Sequence, residues 1–381
     1  MGGLALPKVS KCRDVYGQSH KELGEGNDDL RQDAVMEQVF ELCNSILQRD
    51  QETRRRRLTM RCYKVVPLAA QAGVLQFVTN TAPLNAWIPS AHARYHPDDI
   101  PTRIVQKQLK DTQEMCTGKS PQHPIEYLTS WFAEIVTKRH RPVMRYFFRE
   151  KHKEPTAWFA TRLNYTRSVA VTSIVGHVLG LGDRHLSNIL LDQHNGEVVH
   201  IDLGIAFDQG RVLPVPEKVP FRLTRDMVDG MGASGTQGVF QRCAEETLRV
   251  LRGGSEIILA VLEVFKHDPL HSWTANEHKL EKIQRDAGVA AEKARRRKKE
   301  QEKKANASAA DAYLRATGHD LDLDLDLDNG TSIESADRAL MSVARKLDGS
   351  LSVEFTVNEL IAEATDMQNL ATIFTGWSPH C

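Results

Sequence analysis

Asp183, His185, Asn188 and Asp202 stand out by type and spacing as a set able to do chemistry. Three of them lie in the run GLGDRHLSNILLD (residues 180–192), and Asp202 follows in VVHIDLG (residues 198–204). Asn195-Gly196 separates the apolar runs 189–191 and 198–201. Asn-Gly in that setting predicts a tight hairpin with φ > 0 at both turn positions. A hairpin sets the start of its first strand beside the end of its second. Asn188 therefore comes within about one register step of Asp202, and Asp183 lies in the loop feeding the first strand. Two carboxylates and an amide oxygen collect at one end of the hairpin. Hard oxygen donors of this kind suit Mg²⁺, with phosphate oxygens and water completing its shell.

The predicted division of labour follows from that chemistry. Asn188 and Asp202 hold Mg²⁺, with Mn²⁺ as the alternative ion, against the phosphates of ATP. Asp183 accepts the proton of an attacking hydroxyl. In the protein-kinase template a base Asp precedes a metal-binding Asn by five residues, and a metal-binding Asp opens a D-F-G turn further on. Asp183 and Asn188 have the same spacing, and Asp202-Leu203-Gly204 supplies the turn. His185 is placed to donate a proton or stabilise charge near the transferring phosphoryl group, with a plain structural histidine as the alternative. His177 and His200 read as core or hydrogen-bonding residues.

The positioning elements are legible from periodicity. Residues 30–50 place Val35, Val39, Phe40, Leu42, Cys43, Ile46 and Leu47 at helical spacing. Residues 58–68 read as a strand ending at Pro67, and 73–78 as the next strand. Residues 80–125 have weaker periodicity. Helices are expected over 125–177, in segments 131–136 and 143–148 and a long run from Trp158. Residues 225–265 are helical again, with Val239, Phe240, Cys243, Thr247, Leu248 and Leu251 on one face. Lys279–Lys304 reads as a solvated charged helix or linker, and the alternating Asp and Leu of 320–328 as low-complexity linker. From 347 to 377 a packed pattern returns, a short helical tail docking on the body.

Bulk properties narrow the class. The 381 residues suit a two-lobed body with tails, and the formal net charge of zero argues against a nucleic-acid coat protein. Six scattered cysteines without a C-x-x-C pair suit a reducing compartment and exclude a disulfide framework or zinc ribbon. No apolar stretch is long enough to span a membrane, so the chain is expected to be soluble, with no membrane partner. The basic runs Arg54–Arg57 and Arg295–Lys299 lack interleaved aromatics. They read as solvated faces, with nuclear import or nucleic-acid contact as the alternative.

Asp183-Arg184-His185 reverses the usual kinase H-R-D and resembles the phosphatidylinositol-3-kinase-like protein kinases, most closely the ATM type. Residues 28–33 (DDLRQD) look like that family's helix-C entry, and Asp28 and Asp33 are its N-lobe salt-bridge candidates. Residues 63–67 (YKVVP) with 73–75 (GVL) look like strands leading to the hinge. Thr166–Val169 looks like the approach to the catalytic loop. The stretch 200–207, followed by 219–226 (VPFRLTRD), looks like the activation segment, which includes Gly204, Pro220, Phe221 and Arg222. Residues 351–377 are similar to the C-terminal helical element called FATC. The resemblance implies an α+β, two-lobed protein-kinase-like fold with a truncated N-lobe, a mostly helical C-lobe and a helical tail. It divides the chain into a partial N-lobe and hinge (1–79), C-lobe (80–270), charged linker (271–348) and FATC-like tail (349–381). Adenine is expected beside Leu75, Gln76, Phe77 and Val78, with Phe77 standing where the family commonly has Trp.

By the same resemblance the chain is a nuclear Ser/Thr protein kinase of DNA-damage signalling. It implies substrates with Gln after the phosphoacceptor, and DNA-repair assemblies as partners. Two departures are visible. The chain begins at a point matching the family just after its phosphate-binding loop. The family's phosphate-contacting Lys before D-D-L-R-Q-D is also missing: Glu25 stands near that place and Lys21 is the nearest candidate. A carboxylate facing a triphosphate repels it. The alternatives are a phosphoinositide kinase, or a catalytically inactive fragment or pseudokinase acting as a binding module. Residues 380–381 (His-Cys) stand where some relatives carry aromatic residues, so no membrane-contacting tip is expected.

Overall fold

The structure is a computed structural model that describes residues 7–26, 29–118, 121–213, 215–266 and 332–381. The chain divides into a unit of Met1–His271 with Arg338–Cys381 and a second unit of Ser272–Asp337; both sheets and the catalytic residues belong to the first. The charged run 279–304 and the Asp-Leu repeat 320–328 lie outside the described residues.

A four-stranded antiparallel sheet, in the order β1-β2-β4-β3, opens the chain. Its strands are β1 (Lys8–Arg13), β2 (Ser19–Gly26), β3 (Val65–Ala69) and β4 (Ala72–Gln76). Two of these precede the first helix, where the sequence reading placed none. The strand expected over 58–68 is shorter, and Pro67 lies inside it rather than ending it. Because β3 is an edge strand with a register irregularity between Pro67 and Ala69, the missing proline N–H breaks no central ladder. Helix α1 (Arg31–Arg49) packs beneath with Val35, Val39, Phe40, Cys43, Ile46 and Leu47 buried, as its periodicity predicts.

Helices dominate the remainder. The weakly periodic 80–125 segment contains α2 (Leu84–Tyr95), which carries Pro89, and α3 (Thr102–Thr117). Further on come α4 (Ile125–Trp131), running into a π-helical stretch over Phe132–Thr137, then α5 (Met144–Lys151) and α6 (Pro155–Val178). Pro155 opens α6 at the one place in a helix where a missing N–H is harmless. The second half of α6 is apolar on nearly all sides, with Ala170, Val171, Ile174 and Val175 fully buried, as expected of a central helix. Its Ser168 hydroxyl accepts the Val198 N–H at 3.0 Å, tying the helix to a small sheet of β5 (Thr81–Pro83), β6 (Ile189–Asp192) and β7 (Val198–His200).

Helices α7 (Arg225–Met231), α8 (Val239–Gly253) and α9 (Ser255–Lys266) close the body. Phe240, Cys243, Thr247, Leu248 and Leu251 are buried as expected, whereas Val239, at the first position of α8, is exposed. Helix Ser332–Leu347 enters the body from Arg338 onward, burying Ala339, Leu340, Val343 and Leu347. The last eleven residues assigned to a linker, 338–348, thus belong to the body. The tail forms helices Val353–Thr365 and Met367–Thr372. Leu370, Ile373 and Trp377 join Leu109, Leu128 and Phe132 in one apolar cluster. Burying each such side chain contributes roughly 1.5–3 kcal/mol, which is what holds the tail down. Phe374, read as part of that face, is exposed instead.

Candidate active site

The loop between α6 and β6 begins with a close turn. Gly180 has φ +62°, and a Cβ there would collide with the Asp208 backbone. A Cβ on Gly182 would lie 2.8 Å from Glu217 Oε2 and 2.9 Å from Ile205 Cγ2. Both positions need glycine because the loop is pressed against the segment that follows β7. The contact is fixed by the Gly182 N–H donating to Ile205 O at 2.9 Å and the Phe207 N–H donating to Leu179 O at 2.8 Å.

Asp183 and Asp202 both have φ +55°, a left-handed conformation that costs a side-chain-bearing residue on the order of 1–3 kcal/mol. Neighbours hold them there. The Asp183 N–H donates to Glu217 Oε1 at 2.7 Å, and the Asn188 side-chain amide donates to Asp183 O at 3.0 Å. Arg184 rivets the two loops: its guanidinium donates to Gly182 O at 2.7 Å, to Ile201 O at 2.8 Å and to Asp202 O. The next N–H along, that of Leu203, donates to Asp33 Oδ1 of α1 at 2.7 Å. Asp28 lies outside the described residues.

The hairpin delivers the juxtaposition expected of it. Ile189 pairs with His200, and the Ile201 N–H donates to Asn188 O at 3.0 Å, so Asn188 stands opposite the residue before Asp202. The turn itself differs from the sequence reading. Only Gly196 has positive φ, and the connection is a longer loop closed by the Asp192 N–H donating to Glu197 O at 2.8 Å. Asp192 Oδ1 accepts the N–H groups of His194 and Asn195, and its Oδ2 pairs with Arg61 at 2.6 Å. Asp192 supplies the local hydrogen bonds that a two-residue turn would not need.

His185 Nδ1 accepts the Ser187 N–H at 3.2 Å, which in the neutral ring leaves the proton on Nε2, 4.0 Å from Asp183 Oδ2. Both side chains are about one-third exposed (32% and 33%), so the pair faces the solvent side of the loop. The side-chain nitrogen of Asn188 is engaged by Asp183 O, which makes Oδ1 the atom it presents. Asn188 Oδ1 and the Asp202 carboxylate are the hard oxygen donors Mg²⁺ takes, so the residues present fit the ion.

An apolar cluster adjoins these residues. Leu30, Tyr63, Leu75 and Val199 are buried in one cluster, with Leu23, Val78, Leu190 and Ile201 packed against it. Of the four predicted hinge residues, Leu75 and Val78 join this cluster. The Gln76 and Phe77 N–H groups are engaged by Lys64 O and Lys21 O. The Lys21 ammonium lies 5.5 Å from the Phe77 ring centroid. Lys21, Leu23 and Glu25 share one side of β2 by the two-residue period, and Lys21 sits at the hinge end. It is about 13 Å along the strand from Glu25 at roughly 3.3 Å per residue, too far to take the place of a Lys there.

Three residues given no role in the sequence reading support the site. Arg184, the middle residue of D-R-H, was legible as part of the motif but not as a rivet. Glu217 lies half-buried beneath the catalytic loop, and desolvation pushes its carboxyl up to about 7. The Tyr63 hydroxyl is buried without a hydrogen-bond partner among the described residues; burial, then Asp33 and Glu37, raise its pKa. In the activation segment Phe221 and Arg222 are buried, while Gly204 and Pro220 are half-buried. Arg222 donates to Arg184 O at 3.2 Å and, on the tail, to Trp377 O at 2.5 Å, Ser378 O at 2.9 Å and Cys381 O at 3.0 Å. Its guanidinium also stacks 4.2 Å from the Trp377 ring.

The family profile described as phosphatidylinositol 3- and 4-kinase matches residues 23–275, which run from within β2 past the end of α9 and contain Asp183, His185, Asn188 and Asp202. The chain belongs to that family. A second profile, the FATC domain, matches residues 350–381. Among curated relatives, the serine/threonine-protein kinase tel1 of Emericella nidulans is 46% identical over 379 residues, covering 99% of this chain and 12% of the relative. The serine-protein kinase ATM of Sus scrofa is 43% identical over 385 residues, with the same coverage. The solved FAT and kinase domain of CtTel1 superposes with a TM-score of 0.80 at 41% identity, covering 98% of this chain and 23% of that one. The chain thus spans about an eighth of the length of the curated relatives it matches. The kinase-domain fold with a FATC tail agrees with the architecture read from the sequence.

Proposed function

We propose that this chain is the catalytic part of an ATM-type Ser/Thr protein kinase. In this reading Asp183 is the general base, with Asn188 and Asp202 as ligands of Mg²⁺ (or Mn²⁺). The observation that carries the reading is the pairing of Asp183 and Asp202, both in left-handed backbone and both tied through Arg184. Adenine would lie against Leu23, Leu75, Val78 and Ile201, flanked by Gln76 and Phe77. Bound Mg²⁺ neutralises phosphate charge and holds the reacting phosphoryl group in line. Asp183 would accept the proton of the incoming hydroxyl, and His185 Nε2–H beside it would offer a donor to developing charge. Asp33 anchors the Asp202 turn through Leu203, a positioning role beside the salt-bridge role suggested by resemblance. Protein substrates with Ser/Thr-Gln sites, a nuclear location and a place among DNA-repair assemblies belong to the same proposal. No helix among the described residues is long and apolar enough to cross a membrane.

Glu25 supports a second reading. Without a cation at that place the triphosphate loses a clamp, and the chain would then serve as a binding module.

One experiment separates the readings. The chain is incubated with Mg·ATP and, separately, a Ser-Gln peptide, its Ser-Ala counterpart or phosphatidylinositol vesicles, with Asp202→Ala as control. Transfer to the Ser-Gln peptide that Asp202→Ala abolishes supports the kinase. Transfer to lipid alone, or none above the control, overturns it.

A further inference from the structure

The end of the tail carries a second set of donor atoms, outside the phosphoryl-transfer residues. His140 precedes α5, and His380 and Cys381 lie at the end of the FATC region; all three are buried. One ligand atom from each lies within 4.8 Å of the other two. Cys381 Sγ is 3.9 Å from His140 Nε2, and the rings of His140 and His380 are 5.5 Å apart at 60°.

The hydrogen bonding within this cluster is that of a metal site rather than of a core polar network. His140 Nδ1 lies 2.9 Å from Ile100 O, a carbonyl that can only accept. The proton is therefore on Nδ1, and Nε2 turns its lone pair toward Cys381. A ligating histidine typically has this arrangement, its second nitrogen donating to a backbone carbonyl. His380 is 1% exposed, and neither of its ring nitrogens has a hydrogen-bond partner among the described residues. A buried imidazole lacking both partners is rare, because the desolvation of each nitrogen goes uncompensated. His92 stacks on His140 at 3.9 Å and fixes the plane of that ring.

We propose that His140, His380 and Cys381 bind a single Zn²⁺. Two imidazole nitrogens and a thiolate are donors zinc takes, with a water completing a tetrahedral shell. Binding replaces the Cys381 S–H proton with the metal and releases that proton to solvent, so no oxidant or reductant is needed.

The metal would bond the tail's end to the segment entering α5. Of the three ligands Cys381 also carries an oxygen that Arg222 grips, so the ion would also steady Arg222 against the Arg184 carbonyl of the catalytic loop.

The test uses the full 381-residue chain, purified without chelators. Zinc content is measured by mass spectrometry, Zn²⁺ affinity by competition with a chromophoric chelator, and thiolate ligation by the sulfur-to-metal charge-transfer band of the Co²⁺-substituted protein. Cys381→Ser and His380→Gln are compared with Cys12→Ser, whose thiol is exposed. The expected result is stoichiometric zinc and a thiolate band in the unaltered chain and Cys12→Ser. In His380→Gln and Cys381→Ser affinity should fall by on the order of 10–100-fold or more, with the band lost in the latter. Should Cys381→Ser not fold, the Co²⁺ spectrum of the unaltered chain decides, and absence of the band overturns the site. Equal zinc in all variants, no zinc in any, or copper retained in preference to zinc also overturns it.

Discussion

Replacing Glu217 with Gln gives the sharpest test of how the catalytic loop is held. Glu217 accepts the Asp183 N–H at 2.7 Å, and burial raises its carboxyl from 4.5 to about 7. The unfolded chain releases this proton near 4.5 and the folded chain near 7, so between those values the folded state holds more protons. Stability from this group is therefore fully present below about 4.5 and is lost as pH rises through about 7. At about 1.4 kcal/mol per pH unit, the gap amounts to about 3 kcal/mol, of which about 2–3 falls between pH 5 and 8. Glu37, held near 8, and Asp226, near 6, titrate with the same sign but are common to both proteins and cancel in the difference. Gln cannot titrate, and its carbonyl still accepts from Asp183. Its amide hydrogens, placed where Glu217 Oε2 lies under Gly182 and Gly210, add an offset that does not depend on pH. Reversible urea melts of both proteins across that range give the difference directly. Relative to the unaltered chain, Glu217→Gln should become more stable by about 2–3 kcal/mol as pH rises from about 5 to 8. A difference that stays flat, or falls with pH, refutes the account of a half-buried, proton-holding carboxyl beneath the loop.

Two further outcomes are expected from the geometry. Arg222→Met keeps most of the volume but leaves the oxygens of Arg184, Trp377 and Cys381 without their donor, while Ser378 O keeps the Cys381 N–H at 3.1 Å. Each buried carbonyl left unpaired costs about 1–3 kcal/mol, so a loss of at least about 3 kcal/mol is expected in urea melts. Limited proteolysis should then cut within the tail first. Gly196→Val forces a side chain onto φ +74°, with its Cβ 2.5 Å from Thr161 Cγ2. It should cost on the order of 1–3 kcal/mol and lower the melting temperature, whereas Gly253→Ala, in open space, should not.

The residues proposed for catalysis were picked out by a chemistry that ties residue type to spacing. Oxygen donors must converge on one cation, and Asp183, Asn188 and Asp202 reveal that through a hairpin whose ends meet. Helix α1 and the tail were legible from period alone, since one apolar face carries most of their burial. Strands β1 and β2 were not: all of β1 and the first three residues of β2 are exposed, so no apolar alternation marks them. The loop after β6 was misread because Asp192 and Asn195 side chains cap its N–H groups, so only Gly196 needs positive φ. Glu217 reaches Asp183 across 34 residues of sequence, where no local pattern links them. Separation in sequence likewise hides the cluster of His140 with His380 and Cys381, which only the docked tail brings together.

The central claim is a division of roles between Asp202 and Asp183, and Mn²⁺·ATP binding measured by electron paramagnetic resonance tests it most directly alongside peptide phosphorylation. Asp202→Ala should lose the Mn²⁺·ATP complex. Asp183→Asn should bind Mn²⁺·ATP within about threefold of the unaltered chain while phosphotransfer falls by about 10²–10⁴-fold, the range for removal of a general base. Undiminished Mn²⁺·ATP binding by Asp202→Ala, or undiminished transfer by Asp183→Asn, would contradict the account.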